Sequence, residues 1–153
     1  LTLDGTVLFR GPMKRLTMGA SSWRKILGSP GFLGEIYEGI PPTVTQCDLF
    51  YVHIDERDDS VTLGFDTRSL PSNPHPEWLE RPYNSLEFYL IFSDVTEFRA
   101  TGWGRIEASE IDITAAPGQK IAVVLGSKES GISFRAASMS LASTRVYLAA
   151  GES

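Results

Sequence analysis

A mainly β fold (α+β), built as an antiparallel sheet system of about eight strands with short N-terminal helices, is predicted from three observations. Period-two alternation recurs in short runs from Asp48 to Ala149. Turn residues separate the runs at short intervals, and helical spacing is confined to Ser21–Glu38. The expected architecture is a two-layer sandwich or a strongly curled sheet, with the helices capping one end or face.

The helical part comes first. Ser21-Ser22 can cap a helix, and Trp23, Ile26 and Leu27 follow at i, i+3 and i+4, on one face. Ser29-Pro30 restarts the pattern as cap and first helical position. Phe32, Leu33, Ile36 and Tyr37 make the second apolar face, and Gly39 suits the position after a helix end. Pro41-Pro42 forbids continuation.

The strands follow. In Asp48–Asp55, Phe50, Val52 and Ile54 share one face and Leu49, Tyr51 and His53 the other. The charged turn Asp55–Asp59 joins this run to Val61, Leu63 and Phe65, so the two form a hairpin with a longer loop. Residues 67–83 carry Pro71, Pro74, Pro76 and Pro82 without periodicity, and loops of that length are often functional. Leu86–Phe92 is the strongest strand signal, and Val95–Trp103 resumes it after Ser93-Asp94. Glu110–Thr114, Ile121–Leu125, Gly131–Ala136 and Thr144–Ala149 complete the set, with Ser138–Ser143 as a separator.

One domain accommodates the 153 residues. Residues 1–12 are set apart as a non-native leader, because Thr6–Pro12 resembles a protease-recognition linker, Glu-Val-Leu-Phe-Gln-Gly-Pro, directly before Met13. Residues 13–153 form the β-rich domain. No run approaches the ~18 apolar residues of a membrane span, and no secretory pattern is visible, so a soluble cytoplasmic protein is expected.

The net charge is −5. Arg10, Lys14 and Arg15 lie near the start with Asp4; without these four the balance is −7, from totals of 19 acidic and 14 basic residues. This disfavours nucleic acid, which needs a basic stripe, and suits a partner with a basic face. Cys47 is the single cysteine, so an intrachain disulfide and a thiolate metal cluster are excluded. It reads as a small buried hydrophobe.

Motifs for chemistry are sparse. His53 and His75 have no ligand spacing, and no metal or cofactor is expected. There is no Gly-x-Ser-x-Gly elbow, and Gly102-x-Gly104 lacks the third glycine of a nucleotide fingerprint. The Asp55–Asp59 turn lacks the glycine and distal glutamate of a calcium loop. A glycosidase-like pair could form only in space, with Glu77, Glu80 and Glu87 as first suspects. Trp78, Tyr83 and Trp103 are the sharper signal. Stiff, proline-held aromatics serve as binding hot spots or sugar platforms, whereas the structural alternative is a plug over the sheet end. The partner-binding candidates are Asp55, Glu56, Asp58, Asp59, His75, Glu77, Trp78, Glu80 and Tyr83.

Taken in order, Trp23, Ile26-Leu27, Tyr37, Pro41, the Val52–Phe65 hairpin, Pro71 with Pro74, Trp78, Asn84, Leu86–Phe92, Gly102-Trp103 and Ile132–Ala136 resemble the immunity protein 50 family of bacterial polymorphic toxin systems. The resemblance covers about residues 20–150. It implies a non-enzymatic antitoxin, cytoplasmic in the producing cell, that binds a cognate toxin domain and occludes its active surface. Many such toxins are basic nucleases, which agrees with the acidic composition. The alternatives are a small-ligand or carbohydrate-binding β-module using exposed aromatics, and a hydrolase with carboxylates assembled in space.

Overall fold

The computed structural model describes residues 23–102, 111–116, 118, 120–126 and 130–150. Eight strands run through it: β1 (Cys47–Asp55), β2 (Ser60–Thr67), β3 (Ser85–Ser93), β4 (Thr96–Thr101), β5 (Ile111–Ala116), β6 (Lys120–Gly126), β7 (Gly131–Ala136) and β8 (Ser138–Tyr147). They make two four-stranded sheets, ordered β1-β2-β3-β8 and β4-β7-β6-β5, with every pairing antiparallel. The antiparallel, mainly β architecture is the predicted one.

The two sheets share one bent ribbon. Strands β3 and β4 run on from one another, as do β7 and β8, and the two runs pair along their length. Ser93 pairs with Ser138 on one side of the bend and Thr96 with Arg135 on the other. Asp94 turns the chain with φ 55°, a left-handed value that aspartate tolerates better than most residues. The Ala137 N–H donates to Ser93 O at 2.9 Å, and the Val95 N–H to Asp59 O at 2.9 Å. The corner is thereby pinned to the β1–β2 turn.

Alternation decides what is buried. Val61, Leu63 and Phe65 of β2, and Leu86, Phe88, Leu90 and Phe92 of β3, all point inward and are buried. Phe92 meets Phe134 edge-on at 5.3 Å, which joins the first sheet to the second. Val123, Leu125 and Ile113 extend that side of the core. At the other end Trp23 lies edge-on to Phe65 at 5.3 Å, and its indole N–H donates to Pro42 O at 3.0 Å. Each of the large side chains sealed here contributes about 1.5–3 kcal/mol of transfer free energy.

Three sequence expectations need correction. The segment after Ser29 is not a second helix but a succession of turns, although Leu33, Ile36 and Tyr37 are buried as expected. Gly31 takes φ 90°, and the backbone at Gly34 approaches Gly28 O and Ser29 O too closely for any Cβ, so the glycines break helical continuity. The residues read as a separator, Ser138–Ser143, belong to β8. Their pairing with the central strand β3 overrides weak serine propensity, and a bulge at Ala142 shifts the alternation and hides it in sequence. Finally, a bulge between Leu49 and Tyr51 moves Phe50 off the face of Val52 and Ile54. Gly39 takes φ 83°, but it follows turns and not the helix end expected there. Ser21-Ser22 and Trp103 lie outside the described residues.

Candidate functional site

The inner face of the first sheet is covered by residues 23–37 and by the second sheet. Its outer face is patterned in transverse rows set by the strand register. One row runs Asp48–Asp66–Glu87–Arg145 across β1, β2, β3 and β8. The next runs Tyr51–Gly64–Tyr89–Ser143, and the one beyond His53–Thr62–Ile91–Ser140.

The aromatic row forms a cluster. Phe50 and Tyr51 each stand edge-on to Tyr89, at 5.8 and 5.7 Å between ring centroids. His53 stacks on Tyr51, with 11° between the ring planes. Gly64 leaves the space that Tyr89 fills: a Cβ there would lie 2.8 Å from Tyr89 Cε2 and 2.9 Å from Tyr51 Cβ. Phe50 and Tyr51 remain 46% and 41% exposed, so the cluster is ordered yet open to solvent.

The acidic row is only partly compensated. Arg145 Nε donates to Glu87 Oε2 at 2.7 Å, and the Tyr89 hydroxyl donates to the same oxygen at 3.2 Å. Asp48 and Asp66 face each other across the ladder, a like-charge arrangement that costs stability. Partial burial, and next the Asp48 carboxylate, raise the Asp66 carboxyl above the usual carboxylate range, with Glu87 adding to this; the Tyr147 hydroxyl at 3.4 Å and Arg68 act in the opposite sense. An open cleft of about 680 Å³ lies here, walled by Gln46, Asp48, Asp66, Arg68, Ser85 and Tyr147. Ala149 also lines the cleft and is held by Asn84, whose Oδ1 accepts from the Ala149 N–H at 2.8 Å and whose Nδ2 donates to Ala149 O at 3.3 Å.

The residues singled out in sequence fall at opposite ends of this sheet. Asp55, Glu56, Asp58 and Asp59 form the β1–β2 turn, and Glu56, Asp58 and Asp59 are exposed. His75, Glu77, Trp78, Glu80 and Tyr83 belong to the loop between β2 and β3, which includes a 3-10 turn at Pro76–Glu80. The eight residues of β2 separate the two groups by roughly 25 Å, so they do not form one cluster. Trp78 is half-buried against the core, with His75 edge-on to it at 4.4 Å. The loop is tied to the preceding turns by the Asn73 N–H, which donates to Ile36 O at 2.8 Å, and by the Tyr37 hydroxyl, which donates to Ser69 O at 2.5 Å. Cys47 is buried, and burial above all pushes its thiol up to about 12.

The outer-face rows escaped the sequence reading. Asp48, Phe50 and Tyr51 are close in β1, but Asp66, Glu87, Tyr89 and Arg145 lie far along the chain until register brings them alongside. The available signal was an apolar and aromatic content on both faces of β1, more than an edge strand with one buried face requires.

A family model, described as immunity protein 50, matches residues 30–147. The chain belongs to the immunity protein 50 family. The match runs from the N-terminal turns to the end of β8 and so takes in both sheets and the whole outer face. Neither the comparison with curated proteins nor that with solved structures gave a match. Membership supports an immunity role in general and, with it, a toxin protein as the kind of partner. Several residues of the sequence resemblance have structural roles in this family member: Trp23 and Tyr37 close the core, and Asn84 fastens the end of β8. No helix among the described residues is long and apolar enough to cross a membrane.

Proposed function

We propose that this immunity protein 50 family member binds a cognate toxin domain in the cytoplasm of the producing cell and neutralises it by occlusion, without catalysis. The supporting observation is the family match over residues 30–147. The net charge of −5 supports a basic toxin, such as a nuclease, as the partner. Contact candidates are Asp55, Glu56, Asp58 and Asp59 at one end of the first sheet, and His75, Glu77, Trp78, Glu80 and Tyr83 at the other. The test is co-expression with the toxin domain encoded beside this gene. Restored growth and a purified complex are expected; unrelieved toxicity with no complex rejects the reading.

One observation favours a second reading, a hydrolase. Asp48 and Asp66 face each other in the cleft, and Asp66 has a raised carboxyl. The initial suspects fit less well: Glu87 is committed to Arg145, and Glu77 and Glu80 are exposed on a short turn. Turnover of a glycoside or ester panel, abolished in Asp66→Asn, would establish this activity. Equal background rates for both proteins would remove it.

A further inference from the structure

We propose that the outer face of the first sheet seats the toxin domain, with the aromatic cluster at its centre and the Asp48–Asp66–Glu87 row receiving lysine or arginine side chains of a basic toxin surface. This rests on the immunity reading above and assigns its interface.

Exposure and preorganisation of the same rings select this face. The inner side of the sheet is already packed, whereas Phe50, Tyr51 and His53 are exposed on the outer side. These rings are held in place by one another and by Tyr89 in the gap at Gly64, so little ordering entropy is lost on contact. Rigid aromatics at the centre of a contact supply most of its binding energy.

The charge pattern specifies the occupant. Asp48 and Asp66 are directly opposed, and the arginine of their row is engaged by Glu87. Such a pair weakens the isolated fold and gains from an incoming cation. A guanidinium could lie along the Tyr51 or Tyr89 ring and reach these carboxylates in one approach. Nucleic acid is disfavoured on the same ground, since its phosphates would meet the acidic row. The Asp55–Asp59 turn then lies at the rim, where charges govern encounter rate more than affinity.

The experiment measures affinity for the toxin domain encoded beside this gene, together with thermal stability, for the full chain and three variants. Asp48→Asn with Asp66→Asn should raise the melting temperature by roughly 2 °C and weaken binding about tenfold or more. Tyr51→Ser should weaken binding by a similar factor. Glu35→Lys changes net charge by the same amount as the double variant, but at an exposed position in the turns that precede β1; its affinity should stay within about threefold. A gain in stability with a loss of affinity separates a binding role from misfolding. Wild-type affinity in both outer-face variants overturns this assignment and leaves the immunity reading standing. Failure of the wild-type chain to bind the toxin overturns both.

Discussion

Tyr89 lies across β2 in the space left by Gly64, with its Cε2 only 2.8 Å from where a Cβ on that glycine would be. Tyr51 closes the other side at 2.9 Å. The absent side chain on the central residue of the row therefore builds the aromatic cluster. The Tyr89 ring can swing aside, but Tyr51 Cβ is fixed to the backbone. Gly64→Ala is expected to cost about 1–3 kcal/mol by overpacking. It should also alter the near-ultraviolet circular dichroism of the tyrosines. Unchanged stability and an unchanged spectrum would show that the rings are not held there.

Asp66 gives stability a pH dependence with a definite sign. Its carboxyl is raised in the folded state, so the folded protein holds this proton more tightly than the unfolded chain does. The penalty is absent below the ordinary carboxylate pKa and fully developed above the folded one. Stability should therefore fall through this group as pH rises from the ordinary carboxylate range through its raised folded-state value. Asp48, Glu87, Arg68 and Tyr147 are the groups that face it. Asp66→Asn should remove this dependence and stabilise the protein near neutrality by about 0.5 kcal/mol. Denaturant melts at several pH values measure both effects; a loss of stability at neutral pH would contradict the like-charge account.

Asn84 replaces the backbone ladder where β8 ends. Asn84→Ala removes two hydrogen bonds to Ala149 and should cost about 1–2 kcal/mol. Hydrogen exchange should quicken first at the end of β8, around residue 147, before the centre of β3. Uniform acceleration through both sheets would mean that Asn84 governs global stability instead.

Cys47 is the single thiol, buried, with its pKa pushed up to about 12 chiefly by burial. It should resist a thiol reagent at pH 8 in the native protein and react fully in denaturant. The labelling rate under native conditions then reports opening of β1. Rapid native labelling would refute its burial.

Association with a basic toxin should slow by about tenfold from low to high salt, because acidic surfaces steer encounter through a screened field. Stopped-flow mixing at several ionic strengths measures this. A salt-independent rate would place the weight on the aromatic rings alone.

Most strands were legible because alternation and turns are local. Val61–Phe65 and Leu86–Phe92 announce their inward face directly, and the buried Trp23–Leu27 spacing is equally plain. The limits are instructive. Serine-rich Ser138–Ser143 is strand only because β3 supplies its hydrogen bonds, and the bulges at Ala142 and beside Phe50 shift the pattern on which local reading depends. The turn and loop candidates were visible as charge and proline clusters, but nothing local shows that β2 holds them far apart.

By itself, then, the chain determined its class, most of its strands, its buried thiol and its likeness to a family, since all of these depend on residue type and short-range spacing. Tertiary structure decided the bent ribbon that links the sheets and the rows across the outer face. The reason is register: Asp48, Asp66, Glu87 and Arg145 become neighbours through hydrogen bonds between distant strands, and no periodicity within one strand encodes that alignment.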